Sequence, residues 1–286
     1  MRMKNSKIYQ HKPGQVSALA AAILKGQGQI MLQENAATGL LFLIGIFYGS
    51  LTMGLAAVLA ACCGTLTAIV LGYGRNEIDQ GLYGFSSALV GVALFLYFKP
   101  VPVVWVLVIV GSAAAAMIQH AFIKRTIPVF TLPFVLVTWA ILLAAHYGYP
   151  EILAVPDILG TNENSNITFP LRGFGQVIFQ DGVLAGSLFF IGVFISAPAA
   201  ALYAFAAAVL AGMLSSLIGM PEVDVGMGLF SYNAVLCAIA FAGTKVKDSL
   251  WVMISVVLSI LISMLMFRHQ LTQLTFPSLA RVSHSL

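Results

Sequence analysis

Residues 28–47, GQIMLQENAATGLLFLIGIF, return as residues 175–194, GQVIFQDGVLAGSLFFIGVF, with nine of the twenty aligned positions identical at an offset of 147. A match of that quality inside one chain marks two copies of a single unit. A second pair keeps the same offset: GLYGFSSALVGVA from Gly81 and GLFSYNAVLCAIA from Gly228. A third, IPVFTLPF from Ile127 and LTQLTFPS from Leu271, stands at an offset of 144, a deletion of three residues. Duplicated transmembrane units are the usual build of transporters and channels, because two related halves enclose a site near the bilayer midplane.

Composition puts the duplicated unit in a bilayer. Hydrophobic residues make up 60% of the 286 positions and charged residues 8%, and the mean hydropathy is +0.96. A soluble domain carries roughly 25% charged residues. Stretches free of Asp, Glu, Lys and Arg cover 36–73, 81–98, 101–123, 127–150, 182–221, 225–243 and 249–267. Several exceed the approximately 20 residues that cross a hydrocarbon core, so about ten spans are expected.

Charge placement orients them. Arg2, Lys4, Lys7 and Lys12 mark the N-terminus as cytoplasmic, and no cleavable signal peptide is expected there. The connection 146–171 carries Glu151, Asp157 and Glu163 without a Lys or Arg and is expected outside. A basic start inside and an acidic middle outside require an odd number of spans per half, so the second copy inserts upside down. The expected fold is an all-α integral membrane protein of two inverted-topology repeats, each of about five spans plus a re-entrant half-helix. Its parts are a cytoplasmic segment 1–24, a first repeat 25–147, an extracytoplasmic linker 148–171 and a second repeat 172–286 with a shortened C-terminus. The net charge of +4 sits in the tail and short loops and calls for no nucleic-acid partner.

Catalytic and metal chemistry find little footing. Cys62, Cys63 and Cys237 lie in apolar runs without ligand spacing and read as small buried hydrophobes. The five histidines fall in tails or near span ends, and no nucleophile stands beside a base. No enzyme, metal or cofactor is expected. Asn166-Ile167-Thr168 matches a glycosylation acceptor on the outward linker, a common tripeptide.

Residues 28–35 are too short to span, since eight helical residues rise only roughly 12 Å, and read as the re-entrant half-helix. Gln29 and Gln176, identically placed at its start, are the polar pore candidates; the alternative is hydrogen-bonded glue between helices. Glu34 and Asp181 read as carboxylates capping the next helix, with a coupling-ion role as the rival. Phe85 aligns with Tyr232 and Leu89 with Leu236, an aromatic followed one turn later by Leu. Such a pair packs a core or lines a pore. Thr131-Leu132-Pro133 and Thr275-Phe276-Pro277 interrupt a helix where a threonine hydroxyl can answer freed carbonyls.

Taken together, the glutamine segments, GLYGF/GLFSYN and the proline-rich IPVFTLPF resemble the urea transporter family over nearly the whole chain from about Lys25. IPVFTLPF fits the family's LPxxTxPF signature except at Ile127. The resemblance implies a homotrimer in the plasma membrane, the inner membrane of a bacterium, with one pore per protomer and no energy coupling. It implies flat-molecule slots formed by Leu32, Phe85 and Leu89 and by Phe179, Tyr232 and Leu236. Gln29 and Gln176, with Val177 beside the latter, would flank a ladder of oxygens that has Thr131 and Thr275 at its centre. Two departures stand out: Leu32 where an aromatic is common, and Ser86-Ser87 where an Asn-containing pair is usual. The function implied is passive conduction of urea or a similar small amide. The alternative is a proton-coupled transporter using Glu34 or Asp181. An ammonium channel is disfavoured, because neither pore motif contains a histidine.

Overall fold

In a hydrocarbon core, backbone N–H and C=O groups find no partner but each other, and apolar runs therefore close into helices. The computed structural model describes residues 15–128, 130–154 and 165–268. The first half runs α1 (Gln15–Gly28), a 3-10 turn (Gln29–Met31), α2 (Ala36–Gly49), α3 (Leu51–Val70), α4 (Arg75–Asp79), α5 (Phe85–Tyr97), α6 (Pro102–Ile123) and α7 (Leu132–Gly148). The second follows as α8 (Ser165–Gln176), α9 (Val183–Ser196), α10 (Pro198–Leu217), α11 (Glu222–Gly226), α12 (Tyr232–Phe241) and α13 (Val246–Arg268). Elements α8 to α13 repeat α1 to α6 in order. The position matching α7 starts near residue 276, outside the described residues, and so does Thr275.

Among the described residues four helices, α3, α6, α10 and α13, are long and apolar enough to cross a bilayer, and the bent pair α1–α2 makes up to five. The chain is a multi-pass membrane protein. Helices α5, α7, α9 and α12 are apolar but shorter; thirteen residues of α5 rise only roughly 20 Å. Among the described residues the long apolar helices are thus fewer than the expected five spans per half, and the remaining apolar segments form shorter helices.

Small residues set how closely these helices approach, since lipid supplies no hydrophobic drive between them and packing decides. Ala56, Ala57, Ala60 and Ala61 of α3 are fully buried, as are Ala201, Ala204, Ala208 and Ala211 of α10. Helix α3 packs on α5 and α6, and α10 on α12 and α13. The halves meet along α2 and α9. There Phe42 and Phe189, matched across the repeat, stand edge to face with centroids 5.1 Å apart. Gly45 accommodates the ring of Phe189 and Gly192 that of Phe42, each leaving no room for a β-carbon. Contacts that exchange partners in this way are what a two-fold relation between matched segments produces.

Candidate permeation site

The segment 28–35 is not the half-helix. Residues 29–31 form a 3-10 turn instead, and α1 and α8 end at Gly28 and Gln176, so Gln29 and Gln176 stand at helix ends rather than starts. Residues 29–35 form the break itself, across which α1 and α2 are bent by 75°. The sequence marks the polar interruption but not that a 14-residue helix ends there.

Both breaks have the same backbone. Leu32 has φ 59° and Phe179 φ 58°, a left-handed conformation uncommon outside glycine and asparagine. The Leu32 N–H donates to the Gln29 carbonyl at 3.0 Å, and that of Phe179 to the Gln176 carbonyl at 3.2 Å. Gln33 N–H reaches the Gly28 carbonyl, and Gln180 N–H the Gly175 carbonyl, each at 3.0 Å. Side chains add to this: Gln33 Nε2 donates to the Met31 carbonyl at 2.8 Å and Gln180 Nε2 to that of Ile178 at 3.2 Å. Gln33 and Gln180, which the sequence reading passed over, were signalled by their identity at the shared offset. Each such carbonyl keeps a second lone pair. A helix C-terminus also carries partial negative charge, so both breaks present acceptors.

Gln29 and Gln176 join each break to the second motif of their own half. Gln29 Nε2 donates to the Gln80 carbonyl at 3.1 Å and Gln176 Nε2 to the Met227 carbonyl at 3.1 Å. The acceptors precede Gly81 (φ 80°) and Gly228 (φ 78°). A β-carbon on Gly81 would lie 2.3 Å from the nitrogen of Gly26, and one on Gly228 2.5 Å from that of Gly173. Only glycine fits both the turn and the approach. These links fix where α5 and α12 start, and thereby Phe85 and Tyr232. The glutamines thus act as structural ties through their amide N–H groups.

The aromatic and leucine candidates come together. Phe85, Leu89 and Val177 are buried in one cluster with Ile30, Met31 and Ile178, and Phe179, Tyr232 and Leu236 pack against it half-buried. Leu32 stays apart, 39% exposed. Thr131 precedes α7 with its hydroxyl not used as a cap, and the ring of Phe134 in the first turn of α7 lies beside that of Phe179, centroids 6.0 Å apart. Thr126 (φ 56°) and Phe130 (φ 45°) complete the four non-glycine residues of positive φ among the described residues. All four lie at the breaks or in the approach to α7. Left-handed non-glycine residues cost on the order of 1–3 kcal/mol each and cluster at functional sites.

The matched acids have other tasks than expected. Asn35, not Glu34, caps α2, accepting from Ala37 N–H at 2.8 Å and Thr38 N–H at 3.3 Å. Glu34 instead pairs with Lys25 across the bend at 2.9 Å, both partly exposed. Asp181 is exposed, and α9 begins at Val183 with Gly182 as its N-cap and no side-chain cap. In the connection from α10 to α12, burial pushes the Asp224 carboxyl above the usual carboxylate range. His120 donates to or accepts from the Tyr83 hydroxyl at 2.9 Å and stacks on Tyr73 with centroids 3.5 Å apart. In the second half Phe230 and Phe267 stand edge to face at the matching positions. The pair is a packing element in both halves.

A family model described as Urea transporter matches residues 20–284 of this chain. Among curated proteins the chain is similar to Urea transporter 1 of Capra hircus (27% identical over 242 residues), of Rattus norvegicus (28% over 243) and of Mus musculus (26% over 239). Each alignment covers 77% of this chain and 62% of the relative. The chain therefore spans somewhat under two thirds of the length of the curated relatives it matches.

Proposed function

The chain belongs to the urea transporter family, and from that premise we propose that it is a channel-like passive path for urea, and for amides of similar size, between its two halves. The observation that carries this reading is the paired break: two helix ends turned back on left-handed residues, each tied by a glutamine to a segment bearing an aromatic and a leucine. Urea is planar and neutral, with N–H donors on two edges. Stripping water from such groups without replacement costs roughly 4–8 kcal/mol. Carbonyls at the ends of α1 and α8, with the Thr131 and Thr275 hydroxyls, supply the replacement acceptors. Phe85 and Leu89, in one cluster with Phe179, Tyr232 and Leu236, supply flat walls that reject bulkier solutes. Between apolar walls too few oxygens converge to replace an ion's whole hydration shell.

In this reading the halves are inverted in the membrane, consistent with the charge placement and the reciprocal Phe42 and Phe189 contacts. The N-terminus is cytoplasmic, the membrane is the plasma membrane (a bacterial inner membrane), and three protomers each hold a pore. The protein is a transporter, not an enzyme. A proton-coupled mechanism is less favoured, because Glu34 is partly exposed and already paired with Lys25. The test is stopped-flow light scattering on liposomes holding the purified protein, with inward gradients of urea, acetamide and glycerol, at equal pH and across a pH step. Fast urea entry unaffected by the step is expected. Entry only under a proton gradient, and lost in Glu34→Gln or Asp181→Asn, would establish the coupled mechanism instead.

A further inference from the structure

The two breaks share a backbone but are not held alike. At the second, the Phe179 ring lies 6.0 Å from that of Phe134, inclined by 57°, and Phe134 belongs to α7 of the first half. The neighbouring Gln180 is 3% exposed and also reaches into the first half. Its Nε2 stands 3.5 Å from Met53 Sδ, and its Oε1 lies where a β-carbon on Gly49 would come within 1.9 Å. The first break has none of these grips in its sequence. The positions matching Gly49 and Met53 are Ser196 and Ala200, and the third motif carries Ser278 where its first copy has Phe134.

The difference shows at the matched side chains. Gln33 donates to the Met31 carbonyl in its own break, and Leu32, 39% exposed, lies outside the core clusters. Phe179 packs against both of the larger clusters, as Phe134 does. A ring on a left-handed residue cannot swing far by backbone rotation. Held against a second ring tilted at 57°, it is a stiffer wall than Leu32, which among the described residues joins no core cluster.

We infer that Phe134, from the opposite half, and Gln180, reaching from the break into that half, are positioning residues that hold the second break so that the Phe179 side of the path, and not the Leu32 side, sets how wide a solute may pass. This rests on the permeation reading above. An ordinary packing role for Phe134 would alter stability without altering which solutes pass. The braced wall ties solute width to the ring contact.

Permeabilities of urea and N,N′-dimethylurea are measured for wild type, Phe134→Ala, Phe134→Tyr and Leu32→Ala in liposomes. The ratio of dimethylurea to urea is expected to rise about two- to tenfold in Phe134→Ala, the change equivalent to one aromatic pair. It should return towards wild type in Phe134→Tyr and stay nearly constant in Leu32→Ala. An unchanged ratio in Phe134→Ala, or an equal rise in Leu32→Ala, overturns the inference. Phe134→Leu, which keeps volume while removing the ring, carries the comparison if the alanine variant does not fold. Hydrogen exchange gives an arm independent of urea: Phe134→Ala should speed exchange at 177–181 and leave 30–34 unchanged, and equal effects at both breaks, or none, overturn the bracing. Wild type that conducts no urea refutes the permeation reading alone, and the exchange arm still decides whether Phe134 braces the second break.

Discussion

Replacing Gly39 with alanine sets helix propensity against packing, and the geometry says which prevails. In an unencumbered helix this change stabilises by roughly 0.5–1 kcal/mol. At Gly39 a β-carbon would lie 1.8 Å from the Leu24 carbonyl oxygen, 2.7 Å from the Leu24 carbonyl carbon and 3.1 Å from the Gly28 nitrogen. All three are backbone atoms of α1, so no change of rotamer relieves the clash. Restoring an ordinary carbon–oxygen approach of about 3.3 Å requires α1 to retreat from α2 by roughly 1.5 Å. Overpacking of this kind costs about 1–3 kcal/mol, and the backbone origin of the clash puts Gly39→Ala at the upper end. The same retreat carries Gln29 off the Gln80 carbonyl and opens the break, so urea flux should fall as well. Gly186→Ala repeats the experiment in the second half, its β-carbon 1.9 Å from the Leu171 carbonyl oxygen. Gly148→Ala, with nothing within 4 Å of the new carbon, is the control and should gain up to about 1 kcal/mol. Thermal unfolding in detergent and stopped-flow urea flux at matched protein amounts read both effects. A Gly39→Ala protein as stable as Gly148→Ala, with undiminished flux, would refute the reasoning that close contact between α1 and α2 sets the break.

Three shorter predictions bear on the remaining assignments. Thr131→Val removes an acceptor next to α7 without changing volume and should lower urea flux; normal protein levels with unchanged flux would take Thr131 out of the path. Asn35→Ala should cost about 1 kcal/mol of stability by stripping the cap of α2, whereas Glu34→Gln, touching a partly exposed pair, should cost well under about 1 kcal/mol. Equal losses in thermal unfolding would show that Glu34 supports the helix start after all. Tyr83→Phe leaves His120 Nδ1 without its hydroxyl partner and should cost on the order of 1 kcal/mol. Adding His120→Phe should recover most of it, because the second half packs Phe230 on Phe267 at the same positions. A double-mutant cycle with no coupling would sink that equivalence.

The sequence by itself determined the duplication, the membrane class and most of the candidate residues, because each is a property of composition or of a fixed offset along the chain. Gln29 and Gln176, and the aromatic and leucine pairs at 85 and 89 and at 232 and 236, were legible as matches, and Gln33 with Gln180 could have been found in the same alignment. What failed was local direction: polarity near Glu34 shows that a helix is interrupted, but only the bend of 75°, with Lys25 brought to Glu34, shows that a helix ends there and that Asn35 caps the next. Tertiary structure alone decided that Leu32 and Phe179 are left-handed, since that conformation depends on carbonyls and side chains brought round by the turn. It alone decided that Phe42 meets Phe189 and that Phe134 of one half stands against Phe179 of the other. Periodicity describes the face a helix offers, whereas contacts between residues this far apart in the chain exist only once the two halves have packed and every neighbouring side chain has claimed its space.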